Sequence, residues 1–531
     1  PWLKDASGAR MPVSGAVPVT DVDDEGYWTV TTGEAAPWRI VDAAGEPIEA
    51  SEEVKVALFR SVTTAEGRVK VTLTDGGELS AAKVDDLSAS GTANCYVVSA
   101  PGTYAFNAKV RGNGAGEAAS VGFDPAIEIA DGMTADWVWT DREGLVSDVA
   151  LDAESGEIVF TVGEGKGNAL VALVQAGAIV WSWHIWVTNF SYLEEDDKNI
   201  EVTSHDPSQK FKLLPVNLGW CSGHGDKIKY YKARKCKVKV TAGTKEEVIE
   251  LEQKSHIAFT RGNNPYYQWG RKDPFVGATG NVQNKRRYYS VDWSDDANPP
   301  MLSASTTPDG DRYTTRGAID AGVLIQNPQK WHNPRRKQNL VPGGYPYLSD
   351  NEIYRNLWQG RIEVQPGSPS LKTVYDPCPV GYQVPHYTAV SGFTTTGDNT
   401  NTPFEWYDVR VENIADYNEL TGTCGENGIY SKGLYEFYIN PDKLQSIIFP
   451  ETGYRDWDDN VCAYQVDINA PIGYIWTAGN KQGDDNNSYN FEFARKDYAG
   501  NSYIRPKNFF YPCDGMPIRP CVYDPHSITT P

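Results

Sequence analysis

No run of about 18 consecutive apolar residues occurs in the chain, so the sequence offers no membrane-spanning helix. None of its cysteines, Cys95, Cys221, Cys236, Cys378, Cys424, Cys462, Cys513 and Cys521, falls into a CxxC pair, which removes the usual spacing for a zinc site or a redox dithiol. HExxH, GxSxG and phosphate-loop motifs are missing as well. Gly112–Gly116 and Gly163–Gly167 are glycine-rich but lack phosphate-binding spacing, and read as turns between strands. Basic residues are in the minority, 49 Lys and Arg against 70 Asp and Glu, for a net charge of -21. The most basic stretches, Lys227–Lys239 and Lys285–Arg287, are short and interleaved with Tyr and Val, as on a solvated strand face. A phosphate backbone needs a longer stripe, so nucleic acid is excluded as a partner.

Apolar and aromatic material is plentiful. Hydrophobic residues make up 40% of the 531 and aromatics 12%, enough for packed cores and too many residues for a single one. Two to four domains are therefore expected. The even cysteine count is compatible with disulfides in an oxidising compartment. Opening at Pro1, the chain reads as the mature or trimmed form of an exported precursor, with a lipid anchor on that precursor left open.

Three segments are expected. Residues 1–86 alternate in short runs: Tyr27–Thr32, Trp38–Asp42 and Val54–Phe59 read as strands, and Val69, Val71 and Leu73 share one face before the turn Asp75-Gly76-Gly77. Residues 87–192 restart the pattern with Cys95–Val98, Gly102–Phe106, Glu157–Val162, Ala169–Gln175 and Ile179–Val187. In Val180–Val187 both faces carry large residues, which predicts a strand inside a sheet, covered on both sides, with His184 packed or hydrogen-bonded. The acidic run Leu193–Lys198 then marks a boundary near Tyr192. Residues 193–531 are loop-rich, and loops on a rigid scaffold are where recognition residues concentrate. Asp350–Gln359 and Pro441–Ile448 are the best helical patterns there.

Thr92–Val98, Pro101–Tyr104, Gly167–Ala169 and Trp181–Trp186 resemble a module common in exported and fimbrial proteins of Bacteroidetes. Leu214–Gly219, Tyr266–Phe275, Asp376–Pro385 and Gly515–Val522 resemble, in order, the Fibrobacter succinogenes major paralogous domain, itself similar to C-type-lectin-like and formylglycine-enzyme-like folds; 276–370 and 391–450 read as insertions. Tyr27–Val30 and Ala36–Val41 resemble BACON-type immunoglobulin-like modules. Together the resemblances imply a mainly β chain, two β-sandwich modules followed by an α+β, loop-rich C-type-lectin-like domain, and the layout of a fimbrial tip protein.

Within that frame, Pro377, Pro379 and Pro385 stiffen the Asp376–Pro385 loop. Cys378 and Cys521 are the pair that would tie it to the last strand, one of many pairings eight cysteines permit. Cys221 and His224 stand close, but a nucleophile needs an oriented base and nothing nearby supplies the orienter. A lectin-like domain raises the question of calcium, for which Asp456, Asp458 and Asp459 offer carboxylates, although the Glu-Pro-Asn and Trp-Asn-Asp patterns of calcium-dependent sugar binders are missing. Sugar recognition needs aromatic platforms beside amides and carboxylates, and Trp406, Tyr454, Trp457 and Tyr474 are the candidates; Trp476 reads as core. The expectation is an extracellular adhesion protein without a cofactor, or with calcium, that binds a host protein or glycan and joins fimbrial subunits by strand addition. The alternatives are a surface glycan-binding lipoprotein without a pilus role, and an enzyme on a formylglycine-enzyme-like scaffold.

Overall fold

The computed structural model describes residues 19–31, 37–41, 45–49, 59–65, 68–73, 78–114, 124–140, 144–188, 199–222, 229–231, 234–253, 256–258, 262–275, 286–288, 301–302, 325–326, 328, 357–358, 372–394, 396–400, 409–412, 434–439, 446–450, 452–454, 472–480, 487–494, 503–511 and 514–523. Strand dominates them, in line with the mainly β expectation, and the one full helical turn is Thr388–Ser391.

Near the N-terminus lie two three-stranded antiparallel sheets, Val19–Val22 with Trp28–Thr31 and Trp38–Arg39, and Phe59–Ala65 with Arg68–Leu73 and Glu78–Ala82. The Asp23 carboxylate closes the first hairpin by accepting the amides of Glu25 and Tyr27, each at 3.0 Å. Those hydrogen bonds, with Arg39 beside it, hold its pKa below the usual carboxylate value.

Two sheets between residues 84 and 187 share one core. In the first, the strands run in the order Val146–Asp152, Glu157–Val162, Gly102–Asn107, Val84–Asp86. Val84–Asp86 thus lies in parallel register with Thr103–Ala105 rather than with the N-terminal sheets. The second sheet sets Thr134–Thr140, Gly167–Gln175, Ala178–Val187 and Cys95–Val98 side by side, with Arg286–Tyr288 and Met301–Leu302 added at its edge. Phe106, Ile158 and Phe160 from one sheet meet Val171, Leu173, Trp181, Trp183 and Ile185 from the other.

The Trp-rich strand is interior, as its two large faces require. Trp181, Trp183, Ile185 and Val187 fill this core, while Trp186 turns the opposite way into a second one. Its hairpin with Gly167–Gln175 closes through Ala176 (φ 50°) and Gly177 (φ 80°), both in the left-handed region that a two-residue hairpin of this twist requires. Glycine adopts that region without strain and alanine does not. Ala176→Asn is expected to raise stability by roughly 0.5–1 kcal/mol in chemical denaturation, since Asn tolerates the left-handed region.

Beyond residue 199 two more cores lie on opposite faces of the antiparallel sheet Ile472–Asn480, Ser488–Ala494, Tyr503–Phe510. One face carries Ile472, Tyr474, Trp476 and Ala494 against Trp269, Trp358 and Met516. The other carries Ile475, Phe491, Phe493 and Ile504 against Phe393, Phe437 and Phe449. Cys521–Val522 returns to pair with Lys210–Leu213 and Tyr382–Gln383, so the end of the described chain closes onto the start of this region.

The helix expected over Pro441–Ile448 does not form where it is described: Ser446–Pro450 is a strand. Its consecutive Ile447, Ile448 and Phe449 are all buried, with Ile447 and Phe449 beside Phe437, and β-branched residues of this kind suit a covered strand. Of Asp350–Gln359, only Leu357 and Trp358 are described, as a buried turn. Val54–Phe59 is described only at Phe59, the first residue of a strand.

Candidate functional site

Among the described residues, the 84–187 module packs against later parts of the chain. Ile325, Leu357, Val374 and Tyr375 complete the core of the 84–187 module, and Cys95 and Trp186 of that module enter the core around Trp269. Gly112 sits so close to the Val374 carbonyl that a Cβ would come within 2.2 Å of the oxygen, and its φ of 49° is itself glycine-like. Buried polar groups are paired across the junction. Asn94 donates to the carbonyls of Val374 (2.7 Å) and Asp376 (2.9 Å) and accepts from Trp181 Nε1 (3.0 Å).

Further along, Lys272 Nζ lies 2.6 Å from Asp273 and donates to Ser182 O at 2.8 Å, while Ser182 Oγ donates to Asp273 at 2.7 Å. Burial lowers the Lys272 pKa to about 8 in spite of that carboxylate. His184 is held in a chain: Asn168 Nδ2 donates to Gly219 O (3.0 Å), His184 Nε2 donates to Asn168 Oδ1 (2.8 Å), and Tyr267 donates to His184 Nδ1 (3.1 Å). With both ring nitrogens used by a neutral imidazole, burial pushes its pKa down to about 3. Each of these groups is occupied by a protein partner, and together they clamp the two modules.

A different cluster has unmet polar capacity. Tyr474, Glu492 and Arg505 stand in one row across the three C-terminal strands, and Asn490 and Asn508 are paired in a neighbouring row on the same face. Glu492 is buried and accepts from Tyr503 Oη (2.7 Å), from Arg505 Nη1 (3.2 Å), from Asn508 Nδ2 and from Tyr474. Burial raises its pKa, against the opposing pull of these donors and of the Arg505 charge. Arg505 also stacks over the Tyr503 ring at 3.7 Å.

Asn490 is fully buried, and neither its amide oxygen nor its nitrogen has a hydrogen-bond partner among the described residues. A buried amide without partners is costly and needs an explanation. Beside it, Tyr454, Tyr474 and Phe510 form an edge-to-face trio with centroids 4.9, 5.1 and 5.4 Å apart. Tyr454, Phe510, Arg505 and Asn508 are half-buried, so the cluster reaches the surface. Its outermost strand carries Pro506 at a bulge, where two residues oppose one, and bulges of this kind re-aim side chains.

The sequence-predicted residues divide accordingly. Tyr454 and Tyr474 come together, but Tyr474 is only 4% exposed and forms a wall beneath Tyr454 instead of a platform. Trp476 is core, its Nε1 donating to Tyr267 O at 2.7 Å. Trp406, Trp457, Asp456, Asp458 and Asp459 lie outside the described residues, and among the described residues no group of three or more His, Cys, Asp or Glu could hold a metal.

The Cys378–Cys521 pairing is not formed: both are free, buried thiols, Cys378 packed in the core around Trp269 and Cys521 in the phenylalanine-rich core. Desolvation pushes Cys95 and Cys378 well above the usual thiol value and Cys521 up to about 12. Cys221–Ser222 is a short strand paired with Gly262–Asn263, and His224 lies outside the described residues. Sequence reasoning missed Glu492, Asn490, Arg505 and Asn508. The available signal was the strand Ser488–Ala494, where Asn490 and Glu492 alternate with Tyr489, Phe491 and Phe493.

Comparison of the chain with family models, with curated proteins and with solved structures finds no match.

Proposed function

We propose that the chain is an extracellular adhesion protein, a fimbrial tip subunit, that binds a polyhydroxylated ligand of glycan type at the Glu492 cluster. The observation that carries this reading is the buried, unpartnered amide of Asn490 next to a carboxylate and a guanidinium, under a half-exposed aromatic rim. A pyranose has an apolar face for rings such as Tyr454 and Phe510 and a rim of hydroxyls that both donate and accept. The amide, carboxylate and guanidinium supply both roles. The high thiol pKa values of Cys95, Cys378 and Cys521 favour binding over cysteine chemistry. Attachment to neighbouring subunits by strand addition is supported by the short three-stranded sheets near the N-terminus, whose outer strands pair on one side only among the described residues.

The test is a glycan array followed by calorimetry on the full chain. One glycan class is expected to bind, with Tyr454→Ala and Asn508→Ala each weakening it at least about tenfold, while thermal unfolding shows that the variants remain folded. Binding unaffected by both substitutions would move the site elsewhere, and no binding to any glycan would sink the ligand class. Fimbriae assembled normally in a strain lacking the chain, with glycan capture lost, would identify a free-standing glycan-binding lipoprotein.

A further inference from the structure

The three-stranded sheet that carries Glu492 on one face brings aromatic rings to the surface on the other, since successive residues of a strand point to opposite sides. Tyr489 is half-buried there, and Phe509, directly opposite it in register, is 40% exposed. Tyr387, half-buried at the start of the short helix Thr388–Ser391, adds a third ring, 4.9 Å from Tyr489 and tilted 57° to it.

A cation accompanies the rings. Lys507, two residues before Phe509 on the outer strand, holds its ammonium 5.1 Å from the centroid of the Tyr387 ring. Asn399 pins the backbone beneath it, donating to Lys507 O and accepting from Lys507 N, each at 3.0 Å. Among the described residues Lys507 forms no ion pair, although the chain as a whole carries a net charge of -21. A half-buried ammonium with a ring and no acid beside it is suited to an anion brought from outside.

His386 supplies a donor at the same place, its ring centroid 4.0 Å from that of Tyr387. The Thr388 amide, which can only donate, reaches His386 Nδ1 at 3.4 Å, so the neutral ring carries its proton on Nε2. Nε2 has no hydrogen-bond partner among the described residues, while Nδ1 is used by Thr388. Gly479 lies between Nε2 and Tyr489 and has no side chain to fill the gap: a Cβ there would stand 3.7 Å from Nε2 and 3.5 Å from Tyr489 Cδ2.

We propose that Tyr387, Tyr489, Phe509, Lys507 and His386 form a binding site for carboxylate-bearing sugars, hexuronic or sialic, separate from the Glu492 cluster and independent of it. The rings take the apolar face of the pyranose, Lys507 pairs with the carboxylate, and His386 Nε2–H donates to a sugar oxygen. One lysine matches one charge on each sugar unit. A phosphate or sulfate polymer needs an array of cations, which the described part of this face does not supply.

Calorimetry on the full chain tests this with trigalacturonate and with sialyllactose, which separate the two sources, each beside a neutral counterpart, the methyl-esterified trimer and lactose. At least one acid is expected to bind about tenfold or more tightly than its counterpart, and less tightly as salt rises. Lys507→Met keeps most of the stem and removes the charge, so it should weaken the acid about tenfold and leave the counterpart unchanged, while Lys507→Arg retains binding. Phe509→Ala should weaken both. Positions 507 and 509 reach solvent, so thermal unfolding of these variants should match the parent chain. Tyr454→Ala, in the Glu492 cluster, should leave acid binding intact, which keeps a failure of that site distinct from a failure of this one. The proposal is overturned by no binding of either acid, by equal binding of acid and counterpart, by Lys507→Met without effect, or by loss of acid binding in Tyr454→Ala. A sulfated disaccharide that binds more tightly than both acids overturns the ligand class.

Discussion

Asp376→Ala is expected to destabilise the protein by about 3–5 kcal/mol, the scale at which a buried ion pair loses one partner. The Asp376 carboxylate accepts from Lys372 Nζ at 2.7 Å, from the Cys378 amide at 2.8 Å and from the Val384 amide at 2.9 Å. The side chains of Lys372 and Asp376 are 4% and 0% exposed, so removing the acid strands an ammonium and two amides away from water. Two consequences separate this from an ordinary surface ion pair, worth at most about 1 kcal/mol. The loop ends lose their shared anchor, and the Asp376 carbonyl, which accepts from Asn94, is held less firmly. Loss of the 84–187 module's stability should therefore accompany loss of the C-terminal one. Denaturant titration of Asp376→Ala and Asp376→Asn checks it: Asn keeps the shape and part of the hydrogen bonding but not the charge, so it should fall between Ala and the parent. A cost below about 1 kcal/mol for Ala would mean that solvent reaches Lys372 after all.

That cross-junction coupling also explains which parts of the fold were legible in the sequence. Alternation revealed the strand Glu157–Val162, because a half-covered strand writes its period of two directly. The doubly apolar run around Trp183 revealed an interior strand for the same reason. The junction was not legible, since the charged run 193–198 looks like a linker and the contacts that close the junction come from Asn94, His184, Lys272 and Asp376, which are far apart in sequence. In the site, Tyr454 and Tyr474 were visible as aromatics in a loop-rich region. Glu492, Arg505 and Asn508 were not, because register across three strands and a bulge at Pro506 brings them together, and neither is written in local composition. Ser446–Pro450 was misread as helix since its apolar residues are contiguous, and a short contiguous run does not distinguish a buried strand from a helix turn.

Acidification is expected to unfold the protein well before its surface carboxylates titrate, because two histidines are buried in neutral form. His184 holds its place between Asn168 and Tyr267, and His386 Nδ1 pairs with Thr388 Oγ1 at 3.0 Å; burial, first, pushes both to about 3, and the Lys507 charge adds to the effect on His386. The sign follows from proton uptake. An unfolded histidine protonates near 6.5 while these do not until about 3, so across that window the unfolded state binds more protons and stability falls as pH falls. Each histidine contributes about 1.4 kcal/mol per pH unit within the window, or roughly 2–3 kcal/mol between pH 6.5 and 4.5, and the two together roughly 4–6 kcal/mol. Glu492 acts in the opposite sense, since its raised pKa favours the protonated acid in the folded state, and it offsets part of the loss near the bottom of the window. Denaturation midpoints from pH 7 to 4.5 should fall steeply in the parent chain. In the variant carrying His184→Gln and His386→Gln the slope should flatten, even if its midpoint at pH 7 is lower. Equal slopes in parent and variant would show that these imidazoles protonate without unfolding the chain, and that the hydrogen-bonded chain through Asn168 and Tyr267 admits a charge.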